Sequence, residues 1–156
     1  MKFVIVTVGS IKKNFILSGI KEFKERIDRY TDLNFYPVKE ERLVKGLSEP
    51  LILQKEGERI FTKIPRDGLW VALDRQGLEM NSKQHFQFLN NQGQTGIKKI
   101  YYLIGGPLGL SPEVLRRSDK VLSLSRMTLT HEMSALFLIE QLYRYLNFMA
   151  GEKYHK

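Results

Sequence analysis

Hydrophobic positions along the chain fall alternately into short continuous runs and into helical spacings. Lys2 to Val8 (KFVIVTV) is β-branched and nearly all apolar, the pattern of a strand covered on both faces, and Gly9 ends it. Phe15, Ile16, Ile20, Phe23, Ile27 and Tyr30 then recur at helical spacing between Lys and Glu, which predicts an amphipathic helix. Leu33 to Val38 (LNFYPV) alternates like a strand, and Pro37 confines it to an edge or a bulge. Residues 39–50 are charged and broken at Gly46 and Pro50, so they read as a mobile surface loop. Leu51, Ile52, Ile60, Phe61 and Ile64 predict a second helix with Ser48 as its cap. Leu69 to Leu73 (LWVAL) is a second buried strand, turned at its carboxyl end by Asp74 to Gly77. Ser82 is placed to cap a helix that carries Phe86 and Leu89 and closes around Gly93. Ile100 to Ile104 (IYYLI) is the next strand and runs into Gly105-Gly-Pro-Leu-Gly109. Ser111, Pro112 and Glu113 read as N-cap, first-turn proline and first-turn acid of a short helix, and Val121 to Leu124 forms the last strand.

The segment from Leu122 to Arg144 organises the rest. Ser123, Ser125, Thr128 and Thr130 alternate with Leu122, Leu124, Met127 and Leu129, so hydroxyls and backbone amides can line a narrow slot with apolar sides. Thr130 is a candidate N-cap, with Glu132 in the first turn where negative charge complements the helix dipole. From Met133 to Met149 the apolar residues leave no fully polar face. Such a helix is expected to be buried on two sides, by the domain body and by a second subunit, most simply in a two-fold homodimer. Glu140 and Arg144 are in the favourable order for a helical ion pair.

Strands alternating with helices imply an α/β fold with a mainly parallel sheet and helices on both faces, ligands sitting outside the carboxyl ends of the strands. Three strand-end loops then matter: 73–77, 105–111 and 124–130. Glycines at 105, 106 and 109 around Pro107 exceed what a turn needs and suggest backbone in close approach to a ligand.

Composition narrows the function. The 156 residues, 42% hydrophobic, make one domain over 1–156 that can bury about 70% of its unfolded surface. There is no cysteine, which excludes disulfides, thiolate catalysis and zinc ribbons and suits a reducing cytoplasm. MKFVIVTVGS lacks the cleavage site of a signal peptide, and no apolar run approaches the roughly 20 residues that cross a bilayer. A net charge of +8, with basic residues dispersed rather than gathered in a tail, favours a folded surface that meets a polyanion such as RNA.

The motifs of dinucleotide binding, P-loop phosphate transfer and G-x-S-x-G hydrolysis are missing. His85, His131 and His155 are far apart, without the partners of a metal site. Polar neighbours place His85 at the surface, and His131, at a helix start, is open between a structural and a site role. The tail Gly151-Glu-Lys-Tyr-His-Lys156 combines an aromatic, an imidazole and two lysines, which suggests a segment held by RNA or by a partner subunit.

Four segments together carry a resemblance: Ile104-Gly-Gly-Pro-Leu-Gly109, Leu122-Ser-Leu-Ser-Arg-Met-Thr-Leu-Thr-His131, Glu140-Gln-Leu-Tyr-Arg144 and the terminal Gly-Glu-Lys-Tyr-His-Lys. In them the chain resembles, along its whole length, the RlmH-type ribosomal RNA methyltransferases of the SPOUT superfamily. The resemblance implies S-adenosylmethionine-dependent methylation of N3 of a pseudouridine in large-subunit (23S) rRNA by a cytoplasmic homodimer, on the large ribosomal subunit or the assembled ribosome. It also implies a C-terminal trefoil knot (the α/β-knot fold), which periodicity cannot show. By motif match the cofactor residues are Leu73, Gly105, Leu124, Ser125, Arg126, Met127, Thr128 and Leu129. Tyr154 and His155 of a partner subunit are assigned to orient the base and as candidates to accept its proton, the general base staying open between them, and Arg144 to stabilise developing oxygen charge. Three positions depart from the usual pattern: Thr130 replaces a common proline, and Ala135 and Ala150 replace arginines, so two charges that bear on RNA or cofactor affinity are absent. Two other readings stay open: a SPOUT methyltransferase acting on transfer RNA, and a non-catalytic ribosome-binding factor on the same fold.

Overall fold

A computed structural model describes residues 1–42 and 46–152. The chain forms β1 (Lys2–Val8), α1 (Asn14–Ile27), β2 (Leu33–Val38), α2 (Glu49–Lys63), β3 (Leu69–Glu79), α3 (Ser82–Gln94), β4 (Lys99–Ile104), α4 (Pro112–Arg117), β5 (Lys120–Ser123) and α5 (His131–Met149). The strands lie in the order β2-β1-β4-β3-β5, and every pairing is parallel. Parallel strands need crossover connections, and the four helices between them supply these.

Alternation along the strands divides the core in two. Phe3, Ile5, Val71, Ile100, Tyr102 and Ile104 face α1, α3 and α5. Val4, Val6, Val8, Trp70, Ala72, Tyr101 and Leu103 face α2 and α4. Both faces of the central strands are therefore covered, which is why those strands read as continuous apolar runs. The edge position of β2 accommodates Pro37, whose carbonyl accepts a hydrogen bond from Lys63 Nζ at 2.6 Å.

Four expectations are corrected. Asp74 to Gly77 does not turn the chain away from the sheet: β3 bulges between Leu73 and Leu78, and both residues pair with Leu122. Gly77 is required there, because a Cβ would lie 2.7 Å from the Leu122 carbonyl carbon. Asn81, not Ser82, caps α3, closing a reciprocal box with Gln84 through bonds of 2.9 Å in each direction. The described part of the loop after β2 is held in place, since the Glu41 amide donates to buried Glu56 at 2.8 Å and Arg59 pairs with the Glu41 carboxylate. His85 is not at the surface: it is 8% exposed and its Nε2 lies 2.9 Å from the Tyr102 hydroxyl. Burial lowers its pKa to about 4, so the ring is neutral, and burial likewise raises that of Tyr102.

After β5, at one edge of the sheet, the chain recrosses so that α5 packs beside α1 and against β1 and β4. Thr130 caps it as expected, accepting from the Met133 amide at 3.2 Å. Buried Glu132 accepts from the Lys12 amide at 2.7 Å, Gly19 lets α1 approach Leu136, and Tyr30 donates to Glu152 at 2.6 Å. The two helices therefore run side by side in the same direction. Ala135, Leu138, Ile139, Leu142 and Tyr145 enter the core, while Met133, Phe137, Phe148 and Met149 remain exposed on this single chain.

Candidate active site

The carboxyl ends of β3, β4 and β5 and the first turn of α5 enclose a cleft of ≈ 440 Å³. This is within the range of small-molecule sites. One wall is Leu73 to Gln76 at the β3 bulge, the floor is Ile104 to Gly109, and the opposite wall is built from Leu124, Ser125, Met127, Thr128 and Leu129. His131 and Ser134 close the fourth side from α5.

The floor depends on glycine. A Cβ on Gly105 would run into the Gly109 carbonyl and lie 2.6 Å from the Leu110 nitrogen, so only a bare Cα lets the loop fold back on itself. The return is closed by the Gly109 amide, which donates to the Gly106 carbonyl at 2.9 Å, with Gly109 at φ +84°. Ser111 then starts α4 as its cap, accepting from Val114 at 3.2 Å. The opposite wall is irregular backbone: the Ser125 hydroxyl accepts from the Met127 amide at 3.0 Å, and Met127 is 78% exposed over the opening. Arg75 reaches across, its guanidinium 3.4 Å from the Thr128 hydroxyl.

Seven of the eight expected cofactor residues line this cleft. The exception is Arg126, which falls between the lining residues Ser125 and Met127 but whose side chain turns outward to Glu79 at 3.1 Å and is 81% exposed. Arg144 is not at the cleft. It pairs with Glu140 at 2.7 Å, thirteen residues along α5 from His131, or about 20 Å of helix. Tyr154 and His155 lie outside the described residues. Sequence reasoning missed Asp74, Arg75, Gln76, Pro107, Leu108, Leu115 and Ser134 as cleft residues. All but Leu115, on α4, and Ser134 sit in loops already singled out, and Ser134 follows His131 at the helical spacing of three that puts both on one face. Ala135 is fully buried in the core, so the charge missing at that position is not lost from an RNA-facing surface, whereas Ala150 is exposed.

The family model described as "Predicted SPOUT methyltransferase" matches residues 1–155. Proteins named ribosomal RNA large subunit methyltransferase H are similar over the whole of both chains: 43% identical in Desulfotalea psychrophila, 41% in Halothermothrix orenii and 40% in Shouchella clausii. With glycine-floored loops gathered at the carboxyl ends of an all-parallel sheet, and with matches of this extent, the chain belongs to the SPOUT methyltransferase family.

Proposed function

We propose that this chain transfers the methyl group of S-adenosylmethionine to N3 of a pseudouridine in large-subunit (23S) ribosomal RNA, acting in the cytoplasm as a homodimer. The observation that carries the reading is the cleft itself. Members of the family take S-adenosylmethionine as methyl donor, and a cleft of this size, walled by Leu73 and Leu124 and floored by exposed backbone, fits a bent nucleoside with a polar tail. Leu73, Gly105 and the run from Leu124 to Leu129 would hold it, Arg126 through its backbone alone. The donor supplies an electrophilic methyl group on a sulfonium, a good leaving group. The protein's tasks are to hold the base in line with that methyl, to exclude water and to remove the N3 proton; positioning of this kind is worth up to about 7–11 kcal/mol.

Family members tie their C-terminal part into a trefoil knot, and the recrossing from β5 to α5 is compatible with that path. Helix length supports a contribution from a partner. The 19 residues of α5 carry the chain about 28 Å from the cleft to Glu152, which Tyr30 binds at the opposite end of the sheet. Glu152 thus lies far from the cleft of its own protomer, and we assign Tyr154 and His155 to the cleft of a neighbour. Arg144, on the same half of α5, would act from the same side. The exposed Met133, Phe137 and Phe148 lie on one face of α5 and supply an apolar stripe for the two-fold contact.

Arg75, Arg126, Lys12 and Lys13 stand on or beside the loops around the opening, consistent with a polyanionic substrate. Calorimetry with S-adenosylmethionine, followed by mass-spectrometric mapping of rRNA from a deletion strain before and after treatment with the protein, tests the reading. One restored methyl-pseudouridine in 23S rRNA is expected. A protein that binds no donor is a ribosome-binding factor instead, and one that methylates only transfer RNA has another substrate. Phe137→Glu should yield monomers by light scattering and abolish methylation; a fully active monomer would eliminate the shared site.

A further inference from the structure

The cleft holds three titratable side chains, Asp74, Arg75 and His131. Removal of the N3 proton needs a base, and these differ in aptitude. A carboxylate is a weak acceptor from a heterocyclic imide, and Asp74 is already engaged, accepting from the Gln76 amide at 2.8 Å. An imidazole is the side chain most often used as a general base. Resting on the rRNA-methylation reading above, we propose that His131 accepts the proton of the target base, within the protomer that holds the methyl donor.

The geometry around the ring suits this role. The nearest partner of Nε2 is the Ser10 carbonyl at 3.4 Å. A carbonyl can only accept, so the hydrogen belongs on Nε2, and Nδ1, which meets no hydrogen-bond partner among the described residues, keeps its lone pair. The ring is half-buried at the edge of the cleft, its backbone fixed by the Thr130 cap and by the bond from Lys12 to Glu132. Glu40 approaches from the loop after β2. A Cβ on Gly9 would meet Glu40 Oε2 at 3.2 Å and His131 Nε2 at 3.5 Å, so the bare Gly9, at φ +91°, leaves room for both side chains. Glu40 is the carboxylate we assign to stabilise the imidazolium that forms.

In the step, the N3–H bond breaks and its proton passes to Nδ1 of His131, the electron pair remaining on N3 between its two carbonyls. That pair forms the N–C bond as the methyl leaves sulfur, whose bonding pair returns to it as a neutral thioether, and the imidazolium then loses its proton to water. The partner's tail is left to orient the base rather than to deprotonate it.

General-base removal costs about a hundred- to ten-thousand-fold in rate. The full-length His131→Ala protein should bind S-adenosylmethionine within threefold of wild type by calorimetry and lose at least a hundredfold in kcat. Its KM for rRNA should change less than threefold, and added imidazole should restore at least tenfold. His131→Gln, which preserves bulk and hydrogen bonding, should be as slow, and Glu40→Gln should lose about tenfold. A readout independent of turnover is the NMR spectrum of ¹⁵N-histidine-labelled wild type with S-adenosylhomocysteine: the His131 ring signals should move on adding a pseudouridine-bearing rRNA hairpin. Wild-type turnover in His131→Ala, absent imidazole rescue, or ring signals that stay still would overturn this role alone. A wild-type protein that leaves the rRNA unmodified would overturn the parent reading with it.

Discussion

At the amino ends of the strands, side chains stitch the chain to itself; at the carboxyl ends, backbone is left open. Lys2 pairs with Asp32 at 2.7 Å where β1 and β2 begin. Asp67 receives both Lys99 and the Tyr101 hydroxyl at 2.6 Å, which together hold its carboxyl below the usual carboxylate range. Asp119 accepts from the Trp70 amide at 2.7 Å, and the Arg66 guanidinium sits 4.6 Å over the Trp70 ring. Around the cleft the cross-loop side-chain contacts of Arg75 and His131 are long, both 3.4 Å, and the loops are held by turns and by the absence of Cβ atoms. The lesson is a division of labour: one end of the sheet locks the register, so the other can present uncommitted amides and hydroxyls to a ligand.

Substitutions at each end can break or sharpen this contrast. The largest effect should come from Gly105→Ala, whose methyl group displaces the Gly109–Leu110 return: donor affinity should fall roughly a thousandfold, or about 4 kcal/mol, by calorimetry. Thermal stability should change far less, and an unaltered affinity would show that the floor does not touch the donor. Next is His85, beneath the sheet. Its pKa is about 4 in the fold and ordinarily 6.5, so the unfolded chain binds the extra proton between those values. Stability therefore rises with pH across that window, and about 3 kcal/mol should be lost on acidification from 6.5 to 4. In denaturant titrations that loss should be missing from His85→Gln. Buried Glu56, whose carboxyl burial pushes up, contributes in the opposite direction, so the difference between the two proteins is the quantity to read.

A smaller effect is expected at the locked end. Asp119→Ala removes the acceptor of the Trp70 amide and should lower unfolding free energy by about 1–2 kcal/mol while leaving donor affinity within twofold. A large fall in affinity would mean that register errors travel the length of the strands. Arg126→Ala should do least. Its side chain is exposed and its ion pair with Glu79 is worth less than ~0.5 kcal/mol, so stability and donor affinity should both be nearly unchanged. A tenfold loss of affinity would show that the guanidinium, and not only the backbone, reaches the ligand.

Much of this was legible in the chain. Runs such as KFVIVTV and IYYLI announce strands buried on both faces because a parallel sheet with helices on each side offers no wet face. Pro37 announced an edge, Thr130 and Ser111 announced their caps, and the glycines around Pro107 marked the cleft floor. These features are local, set by a few neighbouring residues. His85 was misread because polar neighbours along the helix say nothing about which side of the helix faces the sheet, and Tyr102 seventeen residues away supplies the partner. The bulge in β3 was read as a turn because Asp-Arg-Gln-Gly has turn chemistry, while its pairing is decided by β5 across a long crossover.

The amino-acid sequence by itself determined the elements, the parallel α/β class and the three loops that would bear a ligand, since periodicity, capping and glycine content act over a few residues. Only the tertiary structure decided that the Arg126 side chain leaves the wall, that the His131 ring packs beside Gly9, and that α5 carries Glu152 to Tyr30, away from the cleft. Those outcomes depend on strand order and on the direction of a helix, quantities set by packing between residues from dozens to more than a hundred positions apart, which no local pattern encodes.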